Sequence, residues 1–335
     1  MGLKEYVVVR ILLMIPVILI MLTFVFVVVH IIPGDPVRGI VGDQASEEYV
    51  EMVRHQLGLD KPLHEQYLDY LGGIITGNMG KSYTLNRSVF SIIQERMGVT
   101  IQLSLIAWIL SIVIGVPTGL FSAMKAGKPV DKASQLVALA MYSTPVFVTG
   151  ILCQLIFGSY LGILPVFGTH SAYVRPLRLT GLILLDTLLA VDFAGFYDSL
   201  LHFILPALVL AARYGSYSAR LTRSETSKAL KRMYCLVAEA KGLKKRTITF
   251  RHAFRNAIIP VVTLIGMQAG FLLTGSVLVE TVFSLPGLGS LLQISASQRD
   301  YLLVQGVVTY FVVIILAVGL LIDISYYFLD PRVKY

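Results

Sequence analysis

Apolar residues fall along this chain in long unbroken runs, separated by shorter stretches where charge and helix-breaking residues gather. About 20 consecutive apolar residues are enough to cross a hydrocarbon layer as a helix. The first run, 11–32, follows Lys4 and Arg10 and ends at Pro33-Gly34-Asp35-Pro36, which cannot continue a helix. A secretory signal has a shorter apolar core and a small-residue cleavage site, so this run reads as a retained helix with its N-terminus inside. Residues 33–98 are polar, with helical patterning over 47–57 and 62–75, and read as a small extracytoplasmic subdomain lying on the bilayer surface. Further spans are expected at 99–124, 133–160, 201–221, 258–283 and 303–328. An apolar patch at 179–191 is short and flanked by acids, so it is expected to re-enter or lie on the surface rather than cross. The pattern predicts an all-α, polytopic membrane bundle of about six transmembrane helices.

Composition agrees with that class. The 335 residues are 56% hydrophobic and only 14% charged, whereas soluble domains are nearer 45–50% apolar. The alternating segments of about ten residues that mark an outer-membrane barrel are missing. The net charge of +8 has to be read by side before any nucleic acid is invoked. With six spans and both termini in the cytoplasm, the inner surfaces carry 18 Lys and Arg against five acids, and the outer surfaces nine against 13. This is the positive-inside distribution, and counting 179–191 as a seventh span would put the largest basic loop outside. Anionic lipid and a protein partner account for the basic surface without nucleic acid.

That largest basic loop is 234–260, YCLVAEAKGLKKRTITFRHAFRNAIIP. Residues 234–241 favour helix, and the small side chains of Ala238 and Ala240 would let a partner's backbone approach closely. Gly242 supplies a C-terminal stop, with Lys244, Lys245 and Arg246 beyond it where positive charge suits the helix dipole. Read from its residues alone, the loop is either a plug for a cytoplasmic partner or an amphipathic turn on lipid with basic stop-transfer ends. Arg213 lies inside the fourth span and should face a cavity or a partner, because a charge there costs roughly 2.5–3.5 kcal/mol on insertion scales. A place on a translocation pathway and packing within the bundle are both open to it.

Glu280 precedes a turn set by Pro286, Gly287 and Gly289 at the outer mouth, where it either hydrogen-bonds the turn or meets cargo. Asp323 is expected to be paired within the bundle, and Gly266, Gly270 and Gly275 to serve helix packing. His30 and the other histidines lack metal-ligand spacing, so no metal is assigned. Cys153 and Cys235 read as isolated thiols. The phosphate-loop pattern G-x-x-x-x-G-K-[ST] is absent, since GNMGKS at Gly77 has the wrong spacing. The chain is therefore expected not to hydrolyse ATP.

A series of stretches then points to a family: PGDPV at Pro33, LGLDKPLHEQYLDYL at Leu57, GNMGKS at Gly77, GILPVFG at Gly162, ILPALVLA at Ile204, ARLTRS at Ala219, AEAKGL at Ala238, RHAFRNAIIPVVT at Arg251, VETVFSLPGLG at Val279, RDYLLVQG at Arg299, and DPRVKY at the end. In this order and spacing the chain resembles the inner-membrane permease subunits of ATP-binding cassette importers, in the dipeptide, oligopeptide and nickel branch. The resemblance implies the type I importer permease fold. It divides the chain into an N-terminal helix (1–32), an extracytoplasmic subdomain (33–98), a core permease domain of five helices (99–329) and a cytoplasmic tail (330–335). It implies a multi-pass protein of the cell membrane and a coupling helix near 234–246. The family's Glu-Ala-Ala-x-x-x-Gly signature falls on Leu236, Val237, Ala238 and Gly242, so the glutamate is missing here. ATPase docking carries over to Ala238, Ala240, Lys241, Gly242 and Leu243.

The implied partners are a second homologous permease, two cytoplasmic ATP-binding subunits that hold ATP and Mg, and an extracytoplasmic solute-binding protein. Peptide is the default cargo, with nickel and oligosaccharide as alternatives. An ion-gradient-driven carrier would instead call for midplane carboxylates and inverted repeats, and a membrane scaffold is the third reading.

Overall fold

The computed structural model describes residues 3–31, 35–42, 44–56, 58–174, 176–177 and 179–329. The first-helix stop at Pro33-Gly34, the outer arginines Arg175 and Arg178, and the tail 330–335 lie outside the described residues. Those described are mainly helical, and their single β-bridge joins Lys81 to Ser88. In chain order the helices are α1 (Leu3–Ile31), α2 (Pro36–Val41), α3 (Glu47–Gln56), α4 (Leu63–Thr76), α5 (Val89–Met124), α6 (Pro129–Ser143), α7 (Val146–Cys153), α8 (Ile183–Leu189), α9 (Phe193–Leu230), α10 (Met233–Ala240), α11 (Lys245–Thr247), α12 (Arg255–Val282), α13 (Leu288–Ser297) and α14 (Tyr301–Leu329). Seven-residue π-helical segments extend α7 to Tyr160 and lead from α11 into α12 over Ile248–Phe254.

Among the described residues five helices are long and apolar enough to cross a membrane, and a sixth crossing is made if the bent pair α6 and α7 counts as one. The expected third span, 133–160, is thus not a straight helix: it turns by 105° after Ser143. Thr144 is extended, with ψ 130°, because the ring of Pro145 disfavours helical backbone before it. By contrast, Pro16, Pro117, Pro206 and Pro260 stay inside α1, α5, α9 and α12. Neighbouring helices make such prolines tolerable in a membrane bundle. The patch 179–191 forms only the seven-residue α8, too short to cross. Two spans are longer than expected: α5 has 36 residues and α9 has 38, or about 54 and 57 Å. Both exceed the roughly 30 Å hydrocarbon layer.

The bundle is built on α5 and α9, which run parallel in close contact. A Cβ on Gly115 would strike the carbonyl of Gly215, and one on Gly119 the carbonyl of Ala219. Small residues four apart on both helices therefore set the approach, as expected where lipid gives helices no hydrophobic reason to associate. Helix α12 runs antiparallel to both. The Trp108 indole donates to Ile265 O at 2.9 Å, and buried Gln268 donates to Tyr214 O at 3.0 Å while accepting from Ser218 Oγ at 3.1 Å. Of the expected packing glycines, Gly275 is crowded by the Tyr214 hydroxyl, and a Cβ on Gly270 would make only ordinary contact with Ile315.

Helix α1 leans on α14, where Arg10 pairs with Asp323 at 3.1 Å, so Asp323 is paired as expected, in a contact whose side chains stay 42% and 32% exposed. It also meets α4, through Thr23 with Tyr67 at 2.6 Å and His30 Nε2 with Gln66 Oε1 at 3.2 Å. Arg54 joins Asp35 at 2.7 Å to hold α3 against α2.

Candidate functional site

Three features near the two ends of the bundle carry chemistry beyond packing. The first is α10, which occupies the expected place, Met233–Ala240, within one residue. It ends in a Schellman motif: Gly242 N–H donates to Glu239 O at 2.9 Å, and Leu243 N–H to Ala238 O at 3.2 Å. Gly242 makes this possible with φ +75°, which a Cβ would strain.

Cys235 and Ala238 face inward, joining Ala229, Ile248, Ala253 and Ala257 in a small core. Burial pushes the Cys235 thiol up, away from the reactive thiolate. Ala238 is only 5% exposed, which corrects its expected role. Its small side chain lets α10 approach its own chain at the π-helical turn before α12, not a partner. Ala240, Lys241, Gly242 and Leu243 do lie exposed. So do Leu236 at 47% and Val237 at 46%, the two positions where the family signature fails. A short helix thus presents an uncovered apolar face beside the exposed Lys244, Lys245 and Arg246.

The second feature, near this basic end, is an open groove of about 970 Å³ between α6, α9 and α12. Sequence reasoning did not find it. Tyr142, in the last turn of α6, meets Tyr217 of α9 edge to face with centroids 4.7 Å apart, and the Arg220 guanidinium lies over the Tyr142 ring at 5.4 Å. Arg213 is half-buried one turn before Tyr217 on the same face of α9, beyond the residues that line the groove. The spacing Arg213, Tyr217, Arg220, Ser224 was the available signal, since positions four, seven and eleven apart share a helix face.

Behind the groove lies a buried joint. Asp131, 1% exposed, accepts from Arg223 Nε at 2.6 Å and Nη2 at 2.9 Å, Ser122 Oγ at 2.6 Å, Gly127 N–H at 2.9 Å and Gln135 Nε2 at 3.0 Å. One carboxylate therefore ties the α5–α6 loop to α9 two turns before α10. Neither residue stands out in the sequence, where both belong to the charges of the basic inner loops.

The third feature lies at the opposite end. Glu280, fully buried, accepts from Gly289 N–H at 2.7 Å, Ser290 N–H at 3.2 Å and Ser276 Oγ at 3.0 Å. Thr100 Oγ1 accepts from Leu288 N–H at 2.8 Å. These are the first three N–H groups of α13, a helix not anticipated in what was read as a turn. They would otherwise be orphans, and a carboxylate suits the positive end of the helix dipole. Of the two roles open to Glu280, the geometry has the structural one. Gly287 and Gly289 are glycines because a Cβ on the first would meet the Glu280 carboxylate and one on the second the α12 backbone at Val277. Pro286 is half-buried in the same turn.

A bundle whose long apolar helices surround a close small-residue crossing, with a basic groove and an exposed short helix at one end, defines a polytopic membrane protein. Comparison with known proteins makes the class specific. The model of the binding-protein-dependent transport system inner membrane component matches residues 115–335, and that of the N-terminal part of such components matches 3–104. The chain belongs to this family. It is 36% identical to the dipeptide transport system permease protein DppB of Alkalihalophilus pseudofirmus over 326 residues, 97% of this chain and 98% of that one. It is 38% identical to the di/tripeptide transport system permease protein DppB of Pseudomonas aeruginosa, covering 92% and 93% of the two chains. Against the glutathione transport system permease protein GsiC of Escherichia coli it is 34% identical, covering 99% of each.

Proposed function

We propose that this chain is the permease subunit of an ATP-driven, binding-protein-dependent importer of di- and oligopeptides, and that it forms half of the translocation pathway. Similarity along nearly its whole length to dipeptide, di/tripeptide and glutathione permeases supports that cargo class. The geometric observation that carries the reading is α10, a capped helix with an uncovered apolar face at the basic end.

In this reading the basic end and both termini face the cytoplasm, and residues 33–98 form the extracytoplasmic subdomain. A cleft in each of two ATP-binding subunits receives the coupling helix of one permease. Here Leu236, Val237, Ala240 and Leu243 supply the contact, Lys241 flanks it, and Gly242 fixes its end. ATP and Mg belong to those partners. Closure of the ATPase dimer pushes α10, which moves the ends of α9 and α12 between which it is strung. The pathway then opens toward a solute-binding protein docked over the Glu280 turn. A second homologous permease completes the pathway.

The test is reconstitution of the complex in liposomes with a radiolabelled dipeptide and its binding protein. Uptake that follows ATP supplied on the side of the basic end is expected. Uptake driven by a proton or sodium gradient without ATP would overturn the reading in favour of a secondary carrier.

A further inference from the structure

The groove between α6, α9 and α12 has a one-sided chemistry that the importer reading does not require. Lys132, Arg220 and Arg223 line it, and none of its lining residues is a carboxylate. Arg223 is already satisfied by Asp131. Arg220 is exposed, held only by the Tyr142 ring, and among the described residues neither it nor Arg213 has an acidic partner within ion-pair distance. A guanidinium laid on an aromatic ring keeps its fork of N–H donors free for a planar anion. Arg213, seven residues back on the same face, extends the cationic line toward the middle of α9.

We infer that the groove is a carboxylate-binding shelf on the cytoplasmic half of the pathway, and that the cargo's own α-carboxylate docks on Arg220, with Arg213 above it. The inference rests on the proposed peptide cargo and deepens it, by assigning the end of the peptide that this chain recognises. Tyr142 and Tyr217 supply the apolar wall for the adjoining side chain. A fixed positive line with no internal counter-charge would select cargo carrying a free carboxylate. It would leave a C-terminally amidated peptide unbound.

The experiment uses the assembled complex with Cys153→Ala and Cys235→Ala and a reporter thiol placed in the groove by Leu136→Cys. The thiol is labelled by a sulfonatoethyl or a trimethylammonioethyl methanethiosulfonate, each rate being divided by that reagent's rate on free mercaptoethanol. The normalised preference for the anionic reagent should be roughly fivefold or more. A free-acid dipeptide at millimolar concentration should slow labelling several-fold, and its amide should not. Arg220→Gln should remove the protection and lower the preference, part of which remains with Lys132 one turn from the reporter. Arg220→Lys should keep part of the protection, and Lys125→Gln, outside the groove, should change neither.

Equal protection by acid and amide, or protection that survives Arg220→Gln, overturns the inference. So does an absent anionic preference, whatever the peptide does. An anionic preference in a complex that neither binds nor transports any peptide would instead sink the peptide-cargo reading and leave an anion groove standing.

Discussion

Glu280 and Asp131 are both buried carboxylates at opposite ends of the same bundle, and each has at least three donors, but the donors differ in kind. Glu280 receives two backbone N–H groups and a hydroxyl, all neutral, and closes one helix end onto another. Asp131 receives a bidentate guanidinium from α9 in addition to neutral donors. The first arrangement has no second charge to strand, and the glycines around it leave no room for adjustment. The second is a charged joint whose two halves sit on different helices, beside the groove and next to the segment that carries α10. A fully satisfied neutral staple suits a fixed turn. An ion pair across a helix boundary suits a place where one helix end is held to another and where, in the proposed importer cycle, both are pushed.

The largest expected effect follows from that difference. Asp131→Ala takes the counter-charge from Arg223, which is 27% exposed where it borders the groove. That loss therefore sits at the low end of the about 3–5 kcal/mol for a buried pair broken from one side, and the orphaned Gly127 N–H adds about 1–3 kcal/mol. Thermal unfolding of the detergent-solubilised complex should show the lowest midpoint of the series. The double variant with Arg223→Leu should recover part of the loss, because it removes the stranded charge. Identical midpoints for the single and double variants would rule out charge stranding as the cause. Next comes Glu280→Ala, which orphans two N–H groups at the start of α13, at about 1–3 kcal/mol each.

The sharper contrast is the amide. Glu280→Gln keeps an acceptor oxygen for those N–H groups and should cost only about 1 kcal/mol. Asp131→Asn leaves Arg223 uncompensated and should stay close to the alanine variant. If both amides behave alike, the two carboxylates are not different in kind.

Much of the frame was legible because lipid leaves few choices: a long apolar run must be a helix, and among the described residues five of the six expected spans are continuous helices while the third is a bent pair. The bend after Ser143 was not, although Pro145 was in view. Four other prolines sit inside unbroken helices, so a proline does not by itself announce a turn, and the extended backbone at Thr144 shows only in the structure. The close crossing of α5 and α9 had a readable signal in Gly115 and Gly119. Gly266, Gly270 and Gly275 stand at comparable spacings on α12, and spacing alone does not say which small residues meet a partner helix. At the site, the position and end of α10 were clear from Gly242 and the basic run after it. Which alanine faced inward was not, since an eight-residue helix has two small-residue faces and only the packing of Ile248 and Ala253 decides between them. The groove and the Asp131 joint each draw side chains from separate helices, and no local pattern announces them.

The smallest stability effect concerns the helix next to the charged joint, and it separates shape from stability. No atom lies within 4 Å of where a Gly242 Cβ would be, so a substitution there meets no clash and pays only the left-handed conformation, about 1–2 kcal/mol. Asn tolerates that conformation better than other side chains. Gly242→Asn should therefore unfold near the parent midpoint and keep its coupling. Gly242→Leu should still assemble, but it adds bulk and loosens the Schellman end at the exposed face, so substrate uptake per ATP hydrolysed should fall while hydrolysis continues. Glu280→Gln, similar in its cost to stability, lies at the end of α12 far from α10 and should lower that ratio less than Gly242→Leu does. A Gly242→Leu complex with a normal ratio would mean that the end of α10 is a structural cap only, and that the ATPase subunits engage the chain elsewhere.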